Sequence, residues 1–290
     1  MSTVHVPILM PEIILALRAP FEAGFKGAYV DCTLGGGGHL AAMLKELAPH
    51  PGAVAVGIDR DEQALKRAAV RFAKEIEERR LVLRHGDFAS ILESWTGPPV
   101  GALLADLGFS SDQVEDALRG ISFSKDGPLD MRLDPSRGET AHFFLQTASE
   151  TEIGRVIHEY GEDRFARKIA RVIVDRRRAS GIPDSTATLA DWIRAAYPGP
   201  ARYAGRIHPA TRTFQALRIH VNDELGQLKR LIDAGHAQVK VGGRVAFLTF
   251  HSLEDRIVKH AFKGHPLWQA LSKKPIEASE EEVERNPRSR

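Results

Sequence analysis

From residue 28 onward, short apolar runs alternate with stretches in which apolar residues recur every three or four positions. AYVDCT (28–33) reads as a strand that ends in the glycine run LGGGGH (34–39), and LAAMLKELA (40–48) as the helix that follows. AVAVGID (53–59) is a second strand closed by an acid. A helix starts near Asp61, with Leu65, Ala68, Ala69 and Phe72 at helical spacing. LVLRHGDF (81–88) and GALLADLGF (101–109) supply a third and a fourth strand, and GGRVAFLTF (242–250) a fifth, preceded by one long helical pattern from about Thr213 to Lys240. Strands that alternate with helices predict an α/β fold with a parallel, doubly wound sheet.

Between the fourth and fifth strands the strand rhythm stops. TAHFFLQTA, ETEIGRVIHEYG, DRFARKIARVIVDRRRAS and TLADWIRAAY all have helical period, and the breakers DGP (126–128), GIPD (181–184) and PGP (198–200) separate them. The economical reading is an inserted α-helical domain at 112–208 within a domain made of 1–111 and 209–290. The 290 residues agree, since a domain takes about 150 on average. No internal repeat is visible, and the stretch from Lys273 is charged and expected to be partly disordered. The opening MSTVHVPILMPEIILAL has no basic region and is interrupted by Pro7, Pro11 and Glu12, unlike a secretion signal. No apolar run reaches the ~18 residues that a membrane span requires. The expectation is a cytoplasmic protein without a membrane partner.

Composition changes this picture in two places. A single cysteine excludes a disulfide framework or a thiolate zinc cluster. The net charge of +2 argues against a nucleic-acid binder until it is split: residues 164–220 carry 12 Lys/Arg against 3 Asp/Glu, and the rest of the chain is at −7. The expectation is therefore an acidic-leaning catalytic domain with a cationic insertion. On the helix that starts near Asp163, Arg164, Arg167, Lys168, Arg171 and Arg178 recur at helical spacing, apart from a stripe of Phe165, Ile169, Val172 and Ile173. Arg176, Arg177 and Arg178, then Arg202, Arg206, Arg212 and Arg218, extend the bias without a cluster of acids beside them, which favours phosphate contact over a solvated face. Aromatics among these charges are few (Trp192, Tyr197, Tyr203, Phe214), so backbone contacts should outweigh base stacking.

The glycine run carries the first chemical signal. Gly36, Gly38 and Ala41 match G-x-G-x-x-G/A at a strand-to-helix junction, where a bare backbone and free helix-start N–H groups receive an anionic group. Asp59 closes the next strand about twenty residues on, where a carboxylate can accept both hydroxyl protons of a ribose. The plainer reading is a tight turn and a surface acid; the two in register favour a nucleoside-type cofactor. NAD and S-adenosylmethionine sites share this arrangement. A dehydrogenase needs a further mononucleotide half, and the helical insertion sits where that half should begin. The third strand ends in Gly86-Asp87-Phe88, a polar residue and an aromatic beside the place of an adenine. The fourth ends in Asp106-Leu107-Gly108-Phe109-Ser110-Ser111, at the carboxyl edge where open α/β sheets put their chemistry. This order of parts favours a methyltransferase.

HVPIL (5–9), DCTLGGGGH (31–39), GIDRD (57–61), HGDF (85–88), ADLGFSSDQ (105–113), FSKDGPLDMRLD (123–134), HPATRTFQALRI (208–219), FHSLEDRIVK (250–259) and NPR (286–288) occur in one order along nearly the whole chain. Together they closely resemble the ribosomal RNA small-subunit methyltransferase H family, the bacterial enzymes also called MraW. The resemblance implies a Rossmann-like methyltransferase sheet. It further implies methyl transfer from S-adenosylmethionine to the exocyclic N4 of a cytidine in the decoding centre of 16S rRNA, with that RNA, within the 30S subunit, as partner. The family's cofactor residues fall on Gly37, Gly38, His39, Asp59, Phe88, Asp106 and Gln113.

Methylation of an exocyclic amine is an in-line displacement. The amine lone pair is delocalised into the ring, so an acceptor for an N4 proton and tight positioning are needed. Many amino-methyltransferases carry an Asp/Asn/Ser-Pro-Pro-aromatic segment after the fourth strand; here Asp106-Leu107-Gly108-Phe109 lacks the prolines. Asp106 is thus a candidate catalytic acceptor, a cofactor ligand, both, or an acid bonding nearby backbone. Phe109 is a candidate for stacking on an extruded base, with packing the simpler role. His251 and Ser252 follow the fifth strand as candidate contacts for the target nucleotide, against a histidine satisfied within its loop. The candidate RNA contacts are Arg132, Arg171, Arg176, Arg177, Arg178, His208, Arg212, His251 and Ser252, with Asp130 beside Arg132 at the edge of the insertion. His39 has no second ligand at metal spacing, so no metal is expected, and Cys32 reads as a small buried residue. The sequence is compatible with a homodimer and does not assign one.

Overall fold

A computed structural model describes residues 7–108, 113–114, 116–199, 202, 207–272 and 274–286. Phe109, Ser110, Ser111, Tyr203 and Arg206 of the sequence reading lie outside them. By internal contacts the chain divides into two units, Met1–Gly108 with Gly226–Arg290, and Phe109–Leu225.

The first unit is built on five strands, β1 (Gly27–Asp31), β2 (Ala53–Asp59), β3 (Leu81–His85), β4 (Val100–Asp106) and β5 (Val239–Leu248), all parallel in the order β3-β2-β1-β4-β5. Buried side chains alternate between the faces, as a pleat requires. Tyr29, Ala55, Ala102 and Leu104 enter one apolar core; Ala28, Val30, Val56, Ile58, Leu103 and Ala105 enter the other. The first core is closed by α1 (Met10–Glu22), α2 (Gly38–Leu47) and α3 (Glu62–Arg71), with α4 (Ala73–Glu77) following α3. Leu92 of α5 (Phe88–Glu93), Leu228, Leu231 and Ile232 close the second. Connections leave β1 toward β2 on one side and β4 lies on the other, so the strand order reverses between β1 and β4. Such a switch point opens a crevice at the carboxyl ends of these strands.

The second unit is helical: α6 (Ala141–Thr147), α7 (Glu150–Gly161), α8 (Ala166–Ser180), α9 (Thr186–Ala196) and α10 (Ala210–Asn222) surround their own apolar core. Ala166, Ile169, Ala170, Ile173 and Val174 of α8 are buried at i, i+3, i+4, i+7 and i+8. DGPLDMR works as a brace within this unit. Asp126 Oδ1 accepts from Gly127 N, Ser185 Oγ, Thr186 Oγ1 and Ala187 N, and so ties the turn to the start of α9.

Two expectations change. The helical pattern from Thr213 to Lys240 is two helices, α10 and α11 (Glu224–Gln238), broken at Asp223, whose φ is 48°. The break is held by Asn222, whose side chain accepts from Leu133 N at 2.8 Å and donates to the Met131 and Arg218 carbonyls. Across it Arg218 forms a bidentate pair with Glu224, at 2.7 and 2.9 Å. The charge expectation also fails by unit: residues 109–225 contain 17 Lys/Arg and 17 Asp/Glu, and the rest of the chain is at +2. Acids between 112 and 163 offset the basic run that follows, so the cationic bias is a property of particular faces. α10 lies within the unit Phe109–Leu225.

Candidate active site

Three strands of the first unit end in an aspartate: Asp31 on β1, Asp59 on β2 and Asp106 on β4. All three therefore sit at the carboxyl edge, with Asp31 and Asp106 on either side of the switch point. Asp31 is only 2% exposed. Its Oδ1 accepts from Thr33 N at 3.2 Å, and its Oδ2 lies 3.5 Å from the Tyr29 hydroxyl. Burial pushes this carboxyl up to about 7 against the pull of the Thr33 N–H, and the neighbouring charges of Asp106 and Asp59 act in the same upward direction. Burial likewise pushes Asp106 up to about 7, with the charge of Glu254 adding to it. Thr33 Oγ1 accepts from Asp106 N at 2.6 Å, which couples the ends of β1 and β4.

The glycine turn lies between β1 and α2. Gly37 is the N-cap of α2 with φ 70°, a conformation that favours glycine, and a Cβ there would stand 2.9 Å from the Phe72 ring. A Cβ on Gly38 would stand 2.2 Å from Pro7, whereas one on Gly36 would meet nothing within 4 Å. The fold itself thus requires bare backbone at Gly37 and Gly38, and Gly36 leaves room beside the turn. His39, in the first turn of α2, is buried. Its Nε2 donates to the Ile8 carbonyl at 3.0 Å, which turns Nδ1 toward Asp106 Oδ2 at 3.8 Å.

Asp59 holds the turn from the other side. Its Oδ2 accepts from Gly35 N and its Oδ1 from Asp61 N, both at 2.8 Å, and burial raises its carboxyl above the ordinary range. Each carboxylate oxygen has a second lone pair, so the group retains acceptor capacity. The Asp59 carbonyl accepts from Gly86 N at 3.0 Å, which sets the loop that carries Phe88 beside the end of β2. Phe88 opens α5, with the Arg60 guanidinium carbon 5.9 Å from its ring centroid.

After β5, Phe250 and His251 lead into α12 (Ser252–Phe262). Leu248 is paired with Asp106, and Leu107 N donates to the Leu248 carbonyl at 3.1 Å, so this helix starts at the same edge. His251 is the N-cap: its Nδ1 accepts from Glu254 N at 3.4 Å, and its Nε2 lies 3.3 Å from Glu254 Oε1 without hydrogen-bond geometry. Glu254 is 2% exposed and accepts from Phe250 N at 2.9 Å. Ser252 is exposed.

The remaining candidates belong to the helical unit. Gln113 is buried there. Arg171, Arg176 and Arg178 are exposed on α8, with Arg176 over the Trp192 ring at 5.4 Å. Arg177 points the other way and donates to the carbonyls of Leu145 and Ala148, at 2.7 and 2.8 Å. Arg132 is paired with Asp130 through Nε and Nη2, both at 2.8 Å, and Arg212 donates to the Glu162 carbonyl at 3.0 Å. His208 Nδ1 accepts from Ala210 N, and burial lowers the ring below its ordinary range. These four side chains have fold partners; of the three exposed arginines, Arg171 lies 3.7 Å from Glu150 and Arg178 lies 3.9 Å from Asp175.

The structure thus brings Gly37, Gly38, His39, Asp59, Phe88 and Asp106 to one edge of one unit. The sequence reading missed Asp31, Thr33, Phe250 and Glu254 at that edge. Asp31 carried the same signal as Asp59 and Asp106, an acid closing an apolar strand, but it was read as part of the strand.

Over residues 2–290 the chain matches the family described as the MraW methylase family. Ribosomal RNA small subunit methyltransferase H of Sorangium cellulosum is 46% identical over 291 residues, covering 99% of this chain and 88% of that protein. The proteins of the same name from Geotalea uraniireducens and Synechococcus elongatus are 44% and 42% identical, each across 99% of this chain and across 95% and 91% of their own lengths. With an α/β sheet, a glycine turn and a row of strand-end acids in place, and with these matches along its whole length, the chain belongs to the MraW methylase family, a family of methyltransferases.

Proposed function

We propose that the protein transfers the methyl group of S-adenosylmethionine to the exocyclic N4 of a cytidine in the decoding centre of 16S rRNA, in the cytoplasm. The observation that carries this reading is the grouping of Asp31, Asp59 and Asp106 around the glycine turn at the switch point. The chemistry of the edge fits the cofactor. Gly36 leaves space beside the turn, Asp59 keeps acceptor capacity for ribose hydroxyls, and the buried carboxyl of Asp31 and the half-buried one of Asp106 offer negative charge to a sulfonium and an ammonium. When bound, the cofactor supplies an electrophilic methyl on a positively charged sulfur.

The residues of the chain divide the work. The turn Gly37-Gly38-His39 and Asp59 hold the nucleoside, and Phe88 flanks the adenine. Asp106 would take the proton that N4 must lose when it accepts the methyl group. A carboxyl pushed to about 7 suits this role at neutral pH, because it can both exist ionised and hold the proton afterwards. His39 and Thr33 position Asp106 from either side. The helical unit, with Arg171, Arg176 and Arg178 exposed on α8, is assigned to the RNA backbone. Transfer of labelled methyl to purified 30S subunits and to free 16S rRNA, with the product nucleoside identified, tests the reading. N4-methylcytidine is expected; transfer to neither substrate, or to another nucleoside, overturns it.

A further inference from the structure

The first unit carries a cationic face of its own that the reading above does not use. Ser252, Arg256, Lys259 and the C-cap residue Lys263 follow one another along α12 at i, i+4, i+7 and i+11, and all four are exposed. That spacing lines them up along one side of a helix over about 16 Å. The opposite side is apolar: Ile257, Val258 and Ala261 pack against the second core of the sheet. These exposed residues, with Asp255 and His260, line one shallow surface hollow.

Position gives the stripe its meaning. The first turn of α12 stands at the carboxyl edge, since Leu248 is paired with Asp106 and the buried Glu254 acts electrostatically on the Asp106 carboxyl. From there the helix leads away along the flank of the unit. The buried acid in the first turn of α12 does not neutralise its later cations, and Asp255 stands half-buried at the start of their row. Glu254 is buried against Phe250 and His251, and among the described residues neither Lys259 nor Lys263 forms an ion pair. One acid of the helix, Glu254, is turned inward, Asp255 lies at the start of the row, and the lysines beyond it face outward.

We propose that the Arg256-Lys259-Lys263 face of α12 is a track for the phosphodiester backbone of the RNA substrate, which guides the strand to the carboxyl edge of the sheet. The inference rests on the reading that the substrate is RNA. A polyanion with evenly spaced charges matches a row of flexible ammonium groups, and each phosphate contact releases counterions. The competing role for cations late in a helix is to complement its dipole, which would affect stability and not RNA binding.

The test uses the full chain with Lys259→Glu/Lys263→Glu and, as a milder variant, Lys259→Gln/Lys263→Gln. A 16S rRNA transcript and 30S subunits are the probes, with binding and methyl transfer measured from low to high salt. Expected is a loss of about tenfold or more in RNA affinity and kcat/KM for the Glu variant at low salt, and a smaller loss for the Gln variant. The slope of log affinity against log salt should fall by roughly 0.7 to 0.9 for each contact removed. Thermal midpoint and S-adenosylmethionine binding should stay at wild-type values. An unchanged salt slope with a lowered midpoint assigns the lysines to the helix dipole and overturns the proposal. A defect seen on 30S subunits but absent on the transcript assigns the face to a protein of the subunit and overturns it as well. Wild-type protein that neither binds nor methylates RNA removes the RNA reading itself, a result distinct from active wild-type enzyme with indifferent variants.

Discussion

At the residue scale, Asp31 shows how burial raises a carboxyl at a strand end. Its carboxyl and that of Asp106 are pushed up to about 7, so both hold protons over a range where an unfolded chain has lost them. With folded values raised, the stabilising contribution is complete below about pH 4 and disappears as pH rises through 7. A cationic ligand reverses the preference by favouring the ionised form. Cofactor affinity should therefore rise with pH between about 6 and 8, and binding should release protons, seen as a buffer-dependent heat in calorimetry. Asp31→Asn keeps an acceptor for the Thr33 N–H and removes the charge. At pH 8 the ligand-free variant should melt no lower than wild type, while its cofactor affinity falls about tenfold or more and loses much of its pH dependence. A variant that melts lower with unaltered affinity would leave Asp31 a purely structural acid. Asp59 was legible in the sequence because it closes its apolar run, and Asp106 because the fourth run ends at the edge where such sheets put their chemistry. Asp31 was not, since an acid inside an apolar run followed by glycines looks like part of the strand, and only parallel pairing places its carboxyl at the shared edge.

Elements show which cations of the basic segment belong to the fold. α8 has five buried apolar positions at helical spacing, and that period was visible in the sequence, as were its exposed arginines. The orientation of Arg177 was not visible, because three consecutive arginines look alike until a neighbouring helix claims one. Arg177 donates to the carbonyls of Leu145 and Ala148 at the end of α6, groups that a helix end leaves without intrahelical partners. Arg177→Ala should then cost about 1–3 kcal/mol of stability in urea or thermal unfolding. Arg178→Ala, at an exposed position, should stay within about 0.5 kcal/mol of wild type. Equal losses from the two would refute the division. The break at Asp223 was illegible for a similar reason. Residues 213–240 keep helical period throughout, and the interruption is fixed by Asn222 reaching Met131 and Leu133, partners some ninety residues away. A pattern within a window carries no trace of such a contact.

At the scale of the whole molecule, the net charge misleads twice. The total of +2 hides the run at 164–220, and assigning that run to one unit hides the acids that neutralise it, since residues 109–225 balance at 17 against 17. What persists is geometry: each unit presents an exposed cationic helix face, α8 with Arg171, Arg176 and Arg178, and α12 with Lys259 and Lys263. If both faces touch one RNA, their contributions to the salt dependence should add, because the two sets of side chains share no partner. The triple variant Arg171→Gln/Arg176→Gln/Arg178→Gln and the double variant Lys259→Gln/Lys263→Gln, measured singly and combined on the 16S rRNA transcript, provide the check. The combined drop in slope should equal the sum of the separate drops within error, with cofactor binding intact throughout. A combined slope no lower than that of the triple variant alone would confine RNA contact to the helical unit. A combined slope no lower than that of the double variant would confine it to the methyltransferase sheet and its helices.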